Sequence, residues 1–157
     1  DESVQLTFTS PPYADFIKRS VEDRKKTHKK SAIVLDNQST AKEYGDKAED
    51  YGNMDYQTFL QNSEKLMEKI YKKTKPGGYN IWVVKDGRNT KKNQPYIDLH
   101  SGVANAGMNT GFLYHDLIIW DQSEQRRLIL NGYPSVMYVN LNHSFSVVLR
   151  KPMKDKK

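Results

Sequence analysis

The segment Ser3-Val4-Gln5-Leu6-Thr7-Phe8-Thr9-Ser10-Pro11-Pro12-Tyr13 decides the fold of this chain. In its first half, apolar Val4, Leu6 and Phe8 alternate with small polar residues. This period of two is typical of a β-strand. The two prolines then end the strand, because a proline has no N–H to donate to a neighbouring strand. We therefore expect a strand over residues 3–9 with a rigid tip at its carboxyl end, where open α/β sheets bind their ligands.

The residues of this tip suit a planar ligand that donates hydrogen bonds. Each proline fixes its φ angle and lacks an N–H, so the carbonyl acceptors there have few competing donors. Ser10 adds a hydroxyl oxygen, and Tyr13 adds a flat aromatic face. Such acceptors beside a ring favour a base with an exocyclic amine, such as adenine or cytosine. An isolated Pro-Pro-Tyr is more often only the end of a strand in a turn with a surface tyrosine, so the longer context has to decide.

That longer context resembles a known family, the S-adenosylmethionine-dependent amino-methyltransferases, which methylate N4 of cytosine or N6 of adenine in DNA. Thr9-Ser10-Pro11-Pro12-Tyr13 matches the catalytic motif of this family, (Asp/Asn/Ser)-Pro-Pro-(Tyr/Phe/Trp) after a central strand. Two more segments support the resemblance: Lys75-Pro76-Gly77-Gly78-Tyr79 before the next strand, and His143-Ser144-Phe145 leading into residues 147–151. The resemblance covers most of the chain.

The resemblance implies roles for the tip residues. Ser10, Pro11, Pro12 and Tyr13 would form the catalytic site, and Thr9, Ser10 and Pro11 would contact part of the cofactor, S-adenosyl-L-methionine. The Ser10 hydroxyl and the Pro11 carbonyl would accept hydrogen bonds from the target amine, and Tyr13 would stack on the base. The base would have to be flipped out of the DNA duplex. Serine rather than aspartate at position 10 favours cytosine N4 over adenine N6.

One part of the family pattern is missing from this sequence. The Gly-rich loop that holds the methionine end of the cofactor, roughly Asp-Pro-Phe-x-Gly-x-Gly, does not occur. We therefore expect a missing cofactor-binding half, placed upstream in the same polypeptide, and a chain that is incomplete for activity. An RNA or protein amino-methyltransferase and a non-catalytic nucleic-acid-binding fragment stay open as alternatives.

Composition sets broad limits on the chain. Its 157 residues fit one domain, and the absence of cysteine excludes disulfides and thiolate metal sites. No stretch approaches the ~20 consecutive apolar residues of a membrane-spanning helix, and we expect no signal peptide before the first strand. We therefore expect a cytoplasmic protein. The four histidines show no metal-ligand spacing, so no metal site is predicted.

The net charge of +6 is unevenly distributed. A basic run begins five residues beyond Tyr13, and its members are Lys18, Arg19, Arg24, Lys25, Lys26, Lys29 and Lys30. With Glu22 and Asp23, this run has a net charge of +5. We expect it to contact DNA phosphates, because lysines and arginines there would hold a nucleic acid over the tip. The basic tail of residues 152–157 is interpreted as a solvated surface.

The remaining pattern predicts an α/β fold, part of a doubly wound Rossmann-like methyltransferase sheet with an antiparallel C-terminal strand pair. Residues 1–151 form the catalytic region, and residues 14–54 a long basic and acidic loop that is the candidate DNA-contacting segment.

A helix capped by Asp55 follows and ends before Pro76. The other predicted elements are a strand over 79–84, a helix over 99–109 closed by Gly111, and strands over 112–120 and 143–150. Trp82 and Met67 are expected in the core, and Asp86 is either a turn residue or a site residue.

Overall fold

A four-stranded mixed sheet is the central element of the structure. The structure is a computed structural model that describes residues 2–14, 45, 47, 49–88, 96–124, 130–131 and 138–154. In spatial order the strands are β1 (Val4–Thr9), β2 (Thr74–Val84), β8 (His143–Arg150) and β5 (Leu113–Asp121). β1 and β2 are parallel, whereas β8 is antiparallel to both β2 and β5. The predicted α/β fold with an antiparallel C-terminal strand pair is thus confirmed.

The chain divides into two compact units. One unit comprises residues 1–11 with 62–157 and contains the whole four-stranded sheet, and the other comprises residues 12–61. The basic run Lys18–Lys30 lies outside the described residues, so its predicted role stays a prediction. Within the described part of the second unit, a 3₁₀ turn at Tyr51–Asn53 is capped by the Asp50 side chain.

Two helices accompany the sheet, and both begin at an aspartate. Helix α1 (Tyr56–Lys73) starts where the Asp55 carboxylate accepts hydrogen bonds from the Gln57 and Thr58 amides, at 2.9 and 3.0 Å. The Thr58 hydroxyl donates to the same carboxylate, and this bond chiefly lowers the pKa of Asp55. Helix α2 (Leu99–Asn109) starts at Asp98. It ends before Gly111, whose φ of +100° is readily adopted only by glycine.

Helix α2 packs on one face of the sheet, here called the helix face, against β8, β5 and β2. The Asn109 side chain donates to Glu64 at 3.0 Å, which joins α2 to α1. Gly107 of α2 lies directly against Leu149 of β8. The predicted core residues Trp82 and Met67 are fully buried.

The start of β2 differs from the prediction. The strand begins at Thr74, directly after α1, instead of at Tyr79. Residues 75–78 form a bulge, because β1 pairs with Thr74 and then only with Tyr79 onwards. The bulge accommodates Pro76, which cannot donate to a ladder, and Gly77, which has a φ of +76°.

Four very short strands complete the described structure. β3 (Gly87–Arg88) pairs with β4 (Tyr96–Ile97), and β6 (Leu130–Asn131) pairs with β7 (Tyr138–Val139). The stretch between β5 and β8, for which the sequence predicts no element, therefore contains a small strand pair. Neither α1 nor α2 is long and apolar enough to cross a membrane.

Candidate active site at the carboxyl edge of the sheet

The carboxyl edge of the sheet collects the ends of three parallel strands. β1, β2 and β5 run in the same direction, since β8 is antiparallel to both of its neighbours. Thr9, the last residue of β1, pairs with Trp82, two residues before β2 ends. Ser10 and Pro11 therefore leave the sheet at this edge, as the sequence predicts.

An unusual backbone conformation lies just after this tip. Ser10 is exposed, and Pro11, Pro12 and Tyr13 are half-buried. Ala14 is fully buried with a φ of +49°, in the left-handed region that a non-glycine residue seldom adopts. Such a conformation costs on the order of 1–3 kcal/mol and is typical of functional sites. The turn that follows the Ser-Pro-Pro-Tyr segment is therefore strained.

The tip of β2 carries a buried carboxylate, Asp86. Its Oδ1 accepts hydrogen bonds from the first amides of α2, those of Leu99 at 2.9 Å and His100 at 3.0 Å. The Tyr96 hydroxyl donates to Oδ2 at 2.5 Å. Burial, together with this hydrogen bond, raises the pKa of Tyr96 well above its usual value. Asp86 thus connects the end of β2 to β4 and to the first turn of α2.

The His100 ring is held between this carboxylate and an aromatic surface. His100 Nδ1 lies 2.9 Å from Asp86 Oδ2 and 3.0 Å from Asp98 Oδ1. Its ring stacks on Phe145, with centroids 4.1 Å apart and planes 20° apart. His143 meets the Phe145 ring edge-on, with centroids 4.9 Å apart. These contacts fix the orientation of the His100 imidazole.

Asp86, Asp98 and His100 could also be considered as metal ligands. Their ligand atoms all lie within 4.8 Å of one another, a grouping that the histidine spacing did not indicate. However, Asp86 already accepts from two backbone amides and the Tyr96 hydroxyl, and Asp98 accepts from the Ser101 amide at 3.1 Å. These hydrogen bonds explain the cluster as the cap of α2, and the explanation does not require a metal ion.

A second polar group lies at the same edge of the sheet. The Lys85 ammonium donates to Gln122 Oε1 at 2.9 Å, and the Ser144 hydroxyl lies 3.4 Å from the same oxygen. These residues belong to the ends of β2 and β5 and the start of β8. The carboxyl edge is therefore polar along its length, from the β1 tip to the end of β5.

Sequence reasoning found the β1 tip but missed the residues around Asp86. The sequence predicts Asp86 as either a turn residue or a site residue. In the structure it is buried and accepts hydrogen bonds from Tyr96, Leu99 and His100, so it joins three elements. Tyr96 and His100 follow it by 10 and 14 residues, with no recognisable motif between them. A signal was available in Asp98, which precedes an apolar run as helix caps do.

The fold is shared with solved structures of one other protein. Three crystal structures of a protein of Thermus thermophilus, assigned as a DNA modification methylase, align with the whole chain at 19–20% identity and TM-scores of 0.59–0.60. One of the three is a complex with S-adenosyl-L-methionine. The present chain covers only 48–50% of those solved chains, so it spans about half their length.

The sequence comparison identifies the family. Residues 4–157 match the family model of the N6/N4 DNA methylases, and the chain belongs to this DNA methylase family. No curated protein matches the chain.

Proposed function

We propose that this chain is the catalytic region of an S-adenosylmethionine-dependent methyltransferase that modifies an exocyclic amine of a flipped DNA base. Cytosine N4 is favoured over adenine N6. One observation carries the proposal: Ser10-Pro11-Pro12-Tyr13 directly follows β1, at the ligand-binding edge of a parallel strand pair, in a member of the DNA methylase family.

The proposed roles follow from the chemistry of the amine. The nitrogen of an exocyclic amine is a poor nucleophile, because its lone pair is delocalised into the ring. The Ser10 hydroxyl and the Pro11 carbonyl accept hydrogen bonds from its two hydrogens and so aim the lone pair at the methyl group. Tyr13 stacks on the flipped base, and the adjacent Pro12 stiffens the segment that positions the ring.

S-adenosyl-L-methionine supplies an electrophilic methyl group on a sulfonium. Thr9, Ser10 and Pro11 are the proposed contacts to it from this chain. Its methionine end needs a close backbone approach, which glycine allows at a strand-to-helix turn. The described clusters of glycine do not provide one: Gly77 and Gly78 lie in the β2 bulge, and Gly102 and Gly107 lie within α2. A cofactor-binding half elsewhere in the polypeptide is therefore part of the proposal, and its upstream position stays a prediction.

The basic run is proposed to hold the DNA. Replacing Lys25, Lys26, Lys29 and Lys30 together by glutamine should weaken DNA binding about equally for all sequences, because phosphate contacts carry no base information. It should also reduce the slope of log K against log salt by up to about four, roughly one per phosphate contact. An unchanged slope would assign the run to a solvated surface.

Two variants at the tip test the catalytic assignment. Tyr13→Ala in the complete protein should lower the methylation rate by roughly 5- to 150-fold. This range corresponds to the loss of the 1–3 kcal/mol of one base–aromatic stack. Ser10→Ala should have a smaller effect, because the Pro11 carbonyl remains. Tyr114→Ala is the matched control, since Tyr114 lies near the start of β5 at the opposite edge of the sheet. Wild-type turnover by Tyr13→Ala would remove Tyr13 from the site.

A further inference from the structure

Arg88 is a basic residue at the carboxyl edge of the sheet. β1 and β2 are parallel, and Thr9 pairs with Trp82, two residues before β2 ends. β3, which contains Arg88, begins soon after the end of β2. The Ser10–Pro11 tip and Arg88 therefore leave the sheet at the same edge. A base that enters the tip would bring its flanking phosphates to this edge.

The Arg88 guanidinium is held in one orientation by two neighbours. Its Cζ lies 5.3 Å from the centroid of the Tyr96 ring, and Tyr96 is its cross-strand partner in β4. Its Nε–H donates to the Val139 carbonyl of β7 at 3.2 Å. The ring contact and the hydrogen bond together fix the plane of the guanidinium. Arg88 is only half-buried, so part of the side chain reaches solvent.

Tyr96 is in turn held by a buried carboxylate. Its hydroxyl donates to Asp86 Oδ2 at 2.5 Å, and Asp86 Oδ1 accepts from the Leu99 and His100 amides. Asp86 is buried, and its charge is stabilised by these three donors at the N-terminus of α2. Arg88 therefore rests on a support that begins in the core. Little conformational freedom is lost when a side chain held in this way binds a ligand.

A preorganised arginine of this kind suits a phosphate. The guanidinium is planar and permanently charged, and its N–H groups match two phosphate oxygens. A flipped nucleotide needs such contacts, because the strand has to be held open while the base lies outside the stack. A purely structural role as a brace between β3 and β7 would depend on the bond to Val139 and not on the charge. The two roles therefore differ in the salt dependence that they predict for DNA binding.

We propose that Arg88 binds a DNA phosphate next to the flipped nucleotide, with Tyr96 and Asp86 as the residues that position its guanidinium. This inference rests on the proposed function and adds a described residue to the DNA contacts proposed for the basic run. Like other phosphate contacts, it contributes to the affinity for DNA of any sequence.

Arg150 provides a matched control in the same chain. Its Cζ lies 5.4 Å from the centroid of the Tyr79 ring, and its Nε–H donates to the Gly77 carbonyl at 3.3 Å. It is half-buried, like Arg88. However, Arg150 is the last residue of β8, which is antiparallel to β2, so it lies towards the opposite edge of the sheet. The two arginines share their local contacts and differ in the edge at which they lie.

The test measures the binding of a fluorescent DNA duplex by the full-length protein over a range of salt concentrations. Arg88→Gln should reduce the slope of log K against log salt by about one, because one phosphate contact is lost. The affinity advantage of the wild type should therefore shrink roughly 3- to 4-fold between about 50 and 200 mM salt. Arg88→Lys should keep the slope, since it keeps the charge, but bind more weakly because lysine lacks the planar fork. Arg150→Gln should keep both the slope and the affinity.

An unchanged slope for Arg88→Gln would overturn the proposal and leave Arg88 as a brace. The same reduction for Arg150→Gln would also overturn it, because charge at either edge would then count equally. If Arg88→Gln does not fold, phenylglyoxal modification of arginines in the wild-type protein, located by peptide mass mapping, takes its place. Bound DNA should protect Arg88 and leave Arg150 reactive, and equal reaction of Arg88 with and without DNA would contradict the contact.

Methylation by the same samples separates this inference from the proposed function. Methyl transfer to an exocyclic amine of DNA by the wild type, together with an unchanged slope for Arg88→Gln, rejects only the phosphate contact. A reduced slope without any methyl transfer to DNA rejects the proposed function, and with it the place of Arg88 beside a flipped nucleotide.

Discussion

At the scale of single residues, Lys151 shows how a charged side chain becomes part of the core. Its ammonium donates to the carbonyls of Tyr71 and Thr74, both at 2.9 Å, and to Glu2 at 3.1 Å. It also lies 4.4 Å from the centroid of the Tyr71 ring. The two carbonyls belong to the end of α1 and the start of β2, so one side chain satisfies both. In the sequence this lysine is only the last residue of the segment 147–151 that supports the family resemblance.

Lys151→Met is expected to destabilise the protein. The substitution keeps the length of the side chain but leaves two carbonyls without a donor, at about 1–3 kcal/mol for each group that remains buried. Lys154→Met is the matched control, because Lys154 contacts the same Glu2 but is 75% exposed. Urea unfolding at neutral pH should show a clear loss of stability for Lys151→Met and little change for Lys154→Met. Equal midpoints for the two variants would contradict the structural role of Lys151.

At the scale of elements, periodic segments were predicted well. Both helices and the strands β1, β5 and β8 lie close to their predicted positions, since their apolar residues recur with the period of the element and their ends carry caps or prolines. The predicted start of β2 lies too late in the chain, because Pro76-Gly77-Gly78 is typical of a turn. Whether a strand can accommodate these residues in a bulge depends on the neighbouring strands, which the local sequence does not show. The two-residue strands β3, β4, β6 and β7 are too short to show any period.

The contact between α2 and β8 depends on one glycine. An alanine Cβ at Gly107 would overlap Leu149 Cδ1 and lie 2.9 Å from Cδ2. Leu149 is fully buried, so we expect overpacking of about 1–3 kcal/mol to outweigh the gain in helix propensity of up to about 1 kcal/mol. Gly107→Ala should therefore lower the free energy of unfolding.

A double-mutant cycle with Leu149→Ala tests this reason directly. If the two side chains compete for one space, the double variant should be more stable than the sum of the single effects predicts. Additive effects in denaturant unfolding would show that Gly107→Ala acts elsewhere.

At the scale of the whole molecule, the α/β sheet and the family were predicted from the Ser-Pro-Pro-Tyr segment and its preceding strand. The residues around Asp86 could not be predicted, because they come together only when β4 and α2 fold back onto the end of β2. The exposure of Phe8 could not be predicted either, since it depends on which elements cover the sheet.

The proposed absence of the cofactor-binding half predicts a low affinity for the cofactor. In the proposal, the 157-residue chain contributes the Thr9–Pro11 contacts to S-adenosyl-L-methionine and lacks the loop that holds the methionine end. It should therefore bind the cofactor more weakly than a Kd of about 10 μM, or ~7 kcal/mol. Isothermal titration calorimetry measures this affinity. A tighter Kd would show that the chain itself contains the loop that holds the methionine end.

The central claim is that this family member methylates an exocyclic amine of a DNA base. The most direct test is nucleoside mass spectrometry of DNA incubated with the full-length protein and S-adenosyl-L-methionine that carries a labelled methyl group. The predicted result is labelled N4-methylcytosine, strongly reduced with Tyr13→Ala and retained with Tyr114→Ala. Labelled N6-methyladenine would change the preferred base and keep the claim. Label only at C5 of cytosine, or only in RNA or protein offered in its place, would contradict it.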